Sequence, residues 1–387
     1  MVTVLLFLLV LTIVVLVHEA GHFFVAKWSG MKVYEFGWGF PPRAFGFYKD
    51  PKTKKIVWVR GSSKENLKEV AGGAETVEEF PATLYSVNWL PLGGFVKIKG
   101  ENDPNPGPDS FAAKSRIKRL ATLLAGVVMN VLLAAVLFSF GYMYGLPGQA
   151  DPNDKHAIQV SEHFVFVQSV QGGSPAEKAG IELGDIIKSV NGDIVTSAAR
   201  ITEYTRTHGN DTLVLLIDRN GKELTVNAKP EALESDHVPR LGVGLGEAGL
   251  VRYPWYWAII KGFQAAWFGL LNIFVSLYVL LKNLLSGNGV SAALSGPVGI
   301  AVIVGQSARL GLNYLISVTA AISLSLAAMN VLPIPALDGG RVLFVLIEGI
   351  FGKKVPAKVE QIAHAVGFIS LLLLIVVITW RDIAKLL

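Results

Sequence analysis

The chain holds 387 residues, 51% of them hydrophobic and only 17% charged, with a mean hydropathy of +0.46. Those values lie outside the soluble globular range and point to a polytopic membrane protein carrying a soluble module. A net charge of +5 is too small and scattered for a nucleic-acid binder, and with no cysteine any metal must be held by His, Asp or Glu.

The first predicted element is an apolar helix over 2–26, long enough to cross a bilayer of ~30 Å. It lacks a basic leader and an A-x-A-like cleavage site, so it reads as a retained span rather than a signal peptide. HEAGH stands near its far end. An ionisable side chain at the middle of a bilayer costs ~2.5–3.5 kcal/mol on insertion scales, so these polar groups need a reason. On a helix His18 and His22 share a face and can bind one Zn²⁺, with Glu19 beside them as general base toward a bound water. The alternative is a pair of histidines hydrogen-bonded within a helical bundle, which desolvation opposes.

Residues 28–115 are rich in glycine and proline. They hold a charged excursion over 48–80 and the apolar stretch LYSVNWLPLGGFVKIKGE. A second span is predicted over 120–144. The polar region after it alternates like β-strands, and Asn220-Gly221 between two β-rich runs signals a hairpin. The stretch 255–285 is aromatic and apolar but is interrupted by Lys261, Gln264, Asn272 and Lys282. Two further spans are predicted over 315–332 and 363–380. Between them lies AAMNVLPIPALDGGRV, whose Asp338 is either a cap for the following helix or the third protein ligand that a catalytic zinc requires.

Charge sets the orientation. Lys114, Arg116, Lys118 and Arg119 precede the second span, Asp151 and Asp154 follow it, and Arg341, Lys353, Lys354 and Lys358 precede the fourth. By the positive-inside rule those basic ends are cytoplasmic, although Arg381 and Lys385 after the last span run against this. Asp338 reaches the depth of HEAGH only if the first and third spans run the same way. The stretch 255–285 is therefore expected to lie in the outer interface, its Trp and Tyr residues in the headgroup zone.

HEAGH in the first span, PLGGFVKIKGE after it, SGPVGI and NVLPIPALDGGR together resemble the site-2 protease family of intramembrane zinc metalloproteases, nearest the bacterial regulator-of-sigma-E type. GSPAEKAGIELGDIIKSVNGDIV is similar to the bacterial, circularly permuted PDZ domain. The resemblance implies that His18, His22 and Asp338 bind zinc and that Glu19 is the catalytic base. It implies that Asn330 and Asn130 lie near the substrate; for Asn330 a structural hydrogen bond to freed backbone is equally open, and for Asn130 helix–helix hydrogen bonding is favoured over substrate contact. Gly93 and Gly94 resemble a membrane-associated β-hairpin that pairs with an extended substrate, against the plain reading of a tight turn. The excursion over 48–80 looks longer than usual, and there is one PDZ-like unit where some relatives have two.

The expected fold is a polytopic α-helical membrane protein of about four transmembrane helices, with a membrane-associated β-hairpin region and an inserted extracytoplasmic α+β PDZ domain. The expected divisions are span 1 over 1–27, a β-rich loop over 28–115 and span 2 over 116–145. The PDZ domain follows over 160–230, then an outer interfacial helix and linker over 250–312, span 3 over 313–340 and span 4 over 361–381. The expected protein sits in the inner membrane of a bacterium, with the PDZ domain outside and the active site toward the cytoplasm. Its expected substrates are single-pass membrane proteins, such as an anti-sigma factor already cut on the outer side or a remnant signal peptide. The PDZ groove would bind peptide C-termini or merely exclude large outer domains. The competing reading is a catalytically silent PDZ-bearing scaffold or receptor with a structural metal site.

Overall fold

The computed structural model describes residues 2–61, 67–69, 76–101, 107–148, 154–160, 164–209, 211–219, 221–232, 238–286, 296–353 and 355–384. Among them the helices are, in chain order, α1 (Val2–Trp28), α2 (Arg116–Tyr144), α3 (Pro175–Lys178), α4 (Ala198–Thr207), α5 (Trp255–Leu285), α6 (Pro297–Leu310), α7 (Leu312–Val331), α8 (Asp338–Phe351) and α9 (Ala357–Ala384). Five of these, α1, α2, α5, α7 and α9, are long and apolar enough to cross a membrane. The sequence pattern led us to expect four. The difference is α5, an unbroken helix of 31 residues whose two lysines fall near its ends and leave an uncharged centre. Its Gly269 approaches Leu324, which lies about 18 Å along α7 from Leu312 at 1.5 Å per residue.

The chain folds as two compact units. The first comprises Met1–Val136, Phe263–Gly305 and Val318–Leu387. In it α1 and α2 run antiparallel at close range, because a Cβ on Gly21 would lie 2.4 Å from the Ala125 carbonyl oxygen. Ser323 of α7 donates to the Asn130 carbonyl of α2 at 2.8 Å. Thr3 lies beside Gly305, just ahead of α7, and His18 lies near Asn330 at the end of α7, so α1 and α7 point the same way. Helix α9 returns, with Gly367 against Pro335 and Asp382 accepting from the backbone N–H groups of Gly296 and Gly299 at the head of α6. Near the end of α1 the core joins Phe23, Ala26, Met31, Ile98, Leu123 and Val345.

The same unit carries β1 (Val33–Lys49), β2 (Ile56–Arg60), the short pair β3 (Leu67–Glu69) and β4 (Thr76–Glu78), and β5 (Leu84–Ile98). The three-stranded sheet has the order β2-β1-β5. Pro41-Pro42 and Pro91 interrupt β1 and β5, where the missing N–H breaks the ladder. Trp38 consequently lies opposite both Gly94 and Val87, so the first arm of β1 is flanked by two arms of β5. Thr12 donates toward the Pro91 carbonyl, which sets the bend of β5 beside the middle of α1. Much of the excursion over 48–80 is thus sheet, with 62–66 and 70–75 outside the described residues.

The second unit, Leu137–Gly262 with Gln306–Ser317, holds β6 (Leu146–Gly148), β7 (Ile158–Gln159), β8 (Phe164–Val170), β9 (Ile186–Val190), β10 (Asp193–Ile194), β11 (Leu213–Arg219), β12 (Lys222–Ala228), β13 (Glu231–Ala232), β14 (Pro239–Arg240) and β15 (Val243–Arg252). Its main sheet has the order β12-β11-β9-β8-β15-β6. Ser174 caps α3 by accepting from the Glu177 N–H, with Pro175 at the first helical position. Arg219 of β11 lies opposite Lys222 of β12 across the expected hairpin, of which Asn220 lies outside the described residues. The core is Val165, Val167, Ile187, Ile201, Leu213, Leu215 and Ile217. Asp185 is 1% exposed and takes two hydrogen bonds from Arg219, whose guanidinium is held above its ordinary range by that carboxylate.

Candidate metal centre and peptide groove

Helix periodicity places His18 and His22 on one face of α1, and the fold of the first unit brings Asp338 to them. The Asp338 Oδ2 atom lies 3.0 Å from His18 Nε2 and 3.2 Å from His22 Nε2. The two Nε2 atoms are 3.2 Å apart, and all three donor atoms lie within 4.8 Å of one another. Asp338 opens α8, yet the N-cap is Leu337 with no side-chain cap bond, so its carboxylate turns to the imidazoles rather than to the helix N-terminus. Between α7 and α8 the loop is tight. A Cβ on Gly339 would fall 2.1 Å from the Leu332 carbonyl oxygen, and one on Gly340 would fall 2.5 Å from that of Ile334.

The surrounding groups fit a zinc ion. His22 Nδ1 lies 2.8 Å from the Thr122 carbonyl oxygen and can only donate to it, which leaves Nε2 as the free lone pair. Asn130 is fully buried, its amide nitrogen 3.3 Å from His18 Nδ1 and its Oδ1 without a partner. Turning that amide over pairs Oδ1 with a protonated Nδ1 and frees Nε2 of His18 for a metal; the two orientations are not distinguished by the heavy-atom positions. Two imidazole nitrogens and one carboxylate are the donor set of an open zinc site. Gly126 supplies the room, since a Cβ there would sit 2.5 Å from both His18 Cε1 and His22 Nε2.

The remaining expected residues lie close by. Asn330, in the last turn of α7, has its amide nitrogen 3.5 Å from His18 Nε2. Gly93 takes a φ of +66° against Val15, a backbone conformation that glycine adopts at low cost. A Cβ on Gly94 would come 2.9 Å from Leu16 Cδ2 and 3.8 Å from Glu19 Cγ, so this arm of β5 runs beside Glu19. The sequence reading had not singled out Thr122 or Gly126. With Asn130 they recur every four residues on α2, a stripe of small and polar groups that was available as a signal.

The second unit has its own cavity, about 750 Å³, between α4 and the start of β15. Ile201, Thr202 and Thr205 line one side, and Leu241, Gly242 and Val243 line the other.

Peptidase family M50 matches residues 6–59 and 76–374 of the sequence. Zinc metalloprotease RasP of Geobacillus kaustophilus is 30% identical over 442 residues, covering 98% of this chain and 97% of that protein. RasP of Oceanobacillus iheyensis is 29% identical over 443 residues, with 100% of both chains covered. A relative in Clostridium acetobutylicum is 30% identical over 373 residues, covering 96% of this chain and 94% of its own. Among solved structures, the PDZ domain of the SdrC-like protein of Listeria monocytogenes aligns at 24% identity, covering 23% of this chain and 93% of that one, with a TM-score of 0.21.

Proposed function

The chain belongs to peptidase family M50, the site-2 protease type, and is a membrane zinc metalloprotease; from that premise we propose that it hydrolyses a peptide bond within or near the transmembrane segment of a single-pass membrane protein. The convergence of His18, His22 and Asp338 beside Glu19 carries this reading. Those three side chains would hold the ion. The chemistry zinc supplies when bound is polarisation of a carbonyl and a lowered pKa for water. Glu19 takes a proton from the attacking water and passes it to the leaving amide nitrogen as the C–N bond breaks. Asn330 steadies the scissile carbonyl. The free edge of β5 beside Gly94 receives the substrate as an added strand, which holds the cut bond extended.

The first unit works at the cytoplasmic side of a bacterial inner membrane, and the PDZ-like unit stands outside. Its groove between α4 and β15 captures a C-terminus exposed by a first cut, with backbone amides around Gly242 receiving the carboxylate. The natural substrate class is then an anti-sigma factor or a remnant signal peptide.

The test is cleavage of a single-pass reporter lacking an outer domain, with zinc measured on the same preparations. The wild type should cut, and Glu19→Gln should keep its zinc while losing activity by at least ~10²–10⁴-fold, the range for a general base. Zinc in both proteins with equal cleavage would remove Glu19 from the mechanism. Zinc in both with no cleavage of any reporter in a panel would favour a silent scaffold with a structural metal.

A further inference from the structure

The segment KDPKTKKIVWVR, residues 49–60, carries five basic residues and one acidic one. It forms the end of β1, a turn, and β2. On one face it exposes large apolar side chains that a hairpin in water would bury: Ile56 is 59% exposed and Trp58 is 65% exposed. The turn is fixed, with Asp50 accepting from the Lys52 N–H at 2.8 Å and the Thr53 hydroxyl at 2.9 Å. Among the described residues, no ion pair engages Lys52, Lys54 or Lys55.

A chain of rings sets the depth of this hairpin against α1. Phe23 meets Tyr85 at 5.9 Å, Tyr85 stacks on Phe47 at 5.5 Å, and Phe47 meets Trp58 at 5.4 Å. Phe23 lies five residues before the end of α1, about 7.5 Å at helical rise. Lys49 lies two residues beyond Phe47, about 7 Å at strand rise. The aromatic rungs are therefore level with the last turn of α1, which ends on the exposed Trp28, and the lysines stand one step farther out. Aromatic side chains at the acyl boundary with lysines among the headgroups make an interfacial anchor.

We propose that this hairpin docks on the anionic lipid headgroups at the inner end of α1 and so fixes the depth of the sheet that runs beside Glu19. The proposal rests on reading α1 as a membrane span. Each lysine near an anionic surface favours the docked form about fivefold. An occupant protein would have to match both an apolar face and a turn of net positive charge lying at one membrane depth; a bilayer supplies both.

The absence of cysteine allows a direct test in the full chain. Nitroxide labels are placed singly through Trp58→Cys, Ile13→Cys on the exposed side of α1, and Lys222→Cys on β12. The proteins are reconstituted into nanodiscs of phosphatidylcholine alone or mixed with phosphatidylglycerol. Collision with oxygen reports lipid, and collision with a nickel chelate reports water. The label at 58 should favour oxygen in the anionic discs, as the label at 13 does. It should shift severalfold toward nickel in neutral discs, or when Lys52, Lys54 and Lys55 are all changed to Gln. A label at 58 as open to nickel as the one at 222, with the label at 13 still in lipid, overturns the anchor. Shielding of 58 from both reagents means protein covers the face and overturns it also. A lipid-exposed 58 that ignores charge overturns the headgroup contact, whereas a nickel-exposed 13 overturns the reading of α1 itself.

Discussion

His18 has two ring nitrogens and four neighbours, and the neighbours decide what it can hold. Asn130 touches Nδ1, while Asp338, His22 and Asn330 surround Nε2. Asn130 is thus better placed to orient a ligand than to meet a substrate. Asn130→Ala should weaken zinc affinity by about 10–100-fold, the usual cost of losing such a partner, whereas Asn130→Asp should keep most of it because an acceptor remains. Competition against a chromophoric chelator measures both; equal affinity in Asn130→Ala and the wild type would leave Asn130 a packing residue. Gly126 gives a sharper result. A methyl group there enters space held by both imidazoles, so Gly126→Ala should purify without stoichiometric zinc while keeping its helical circular dichroism. The histidine pair was legible in the sequence because its spacing matches the helix repeat. The roles of Gly126 and Asn130 were not, because they depend on the register between α1 and α2, which the close contact at Gly21 sets.

Among elements, the loop from α7 to α8 does the most to shape the site. Sequence left Asp338 between helix cap and ligand, since Asp before Gly-Gly suits either. The choice turns on Ala336, whose φ of +83° is unusual for a residue with a side chain. Its N–H donates to His364 Nδ1 of α9 at 2.8 Å, and Gly367 lets that helix close on Pro335. A helix remote in sequence thus holds the turn that aims Asp338. His364→Ala orphans the Ala336 N–H, a loss of about 1–3 kcal/mol of local stability. Hydrogen exchange over 332–340 should quicken and zinc affinity should fall, while His364→Gln, which retains an acceptor, should restore both in part. Unchanged exchange in His364→Ala would make the contact incidental. The β region was less legible still. Its aromatic run announced strands, but the doubling of β1 against β5 depends on prolines that break the ladder at two matched points. The orientation signal also reads differently in the fold, because Arg119 bonds Glu348 at 2.6 Å and Arg341 pairs with Glu101, so part of the basic excess is spent inside the protein.

At the scale of the whole molecule, His18, His22 and Asp338 belong to one compact unit and the cavity between α4 and β15 to the other, which on the proposed reading divides chemistry from recognition. If that cavity reads a C-terminus, as proposed, it cannot choose the bond to be cut. On the proposed reading that choice falls to the catalytic unit, where β5 ends the strand order β2-β1-β5 and passes Glu19 at Gly94, and a substrate added to it as a strand must be extended. On the proposed reading the substrate is a membrane span that arrives as a helix with its amides bonded internally, so part of it must unwind before it can pair with that strand. Replacing one leucine near the cut by glycine lowers the cost of local unwinding by about 0.8–1 kcal/mol, which corresponds to roughly four- to fivefold in rate if unwinding limits cleavage. The effect should vanish for glycines several turns away, and it should persist in reporters with and without a C-terminus that the groove can hold. Single-turnover cleavage of a leucine span carrying one glycine at successive positions maps it directly. A flat profile would mean that unwinding precedes the limiting step, and the sheet would then be a passive wall of the site.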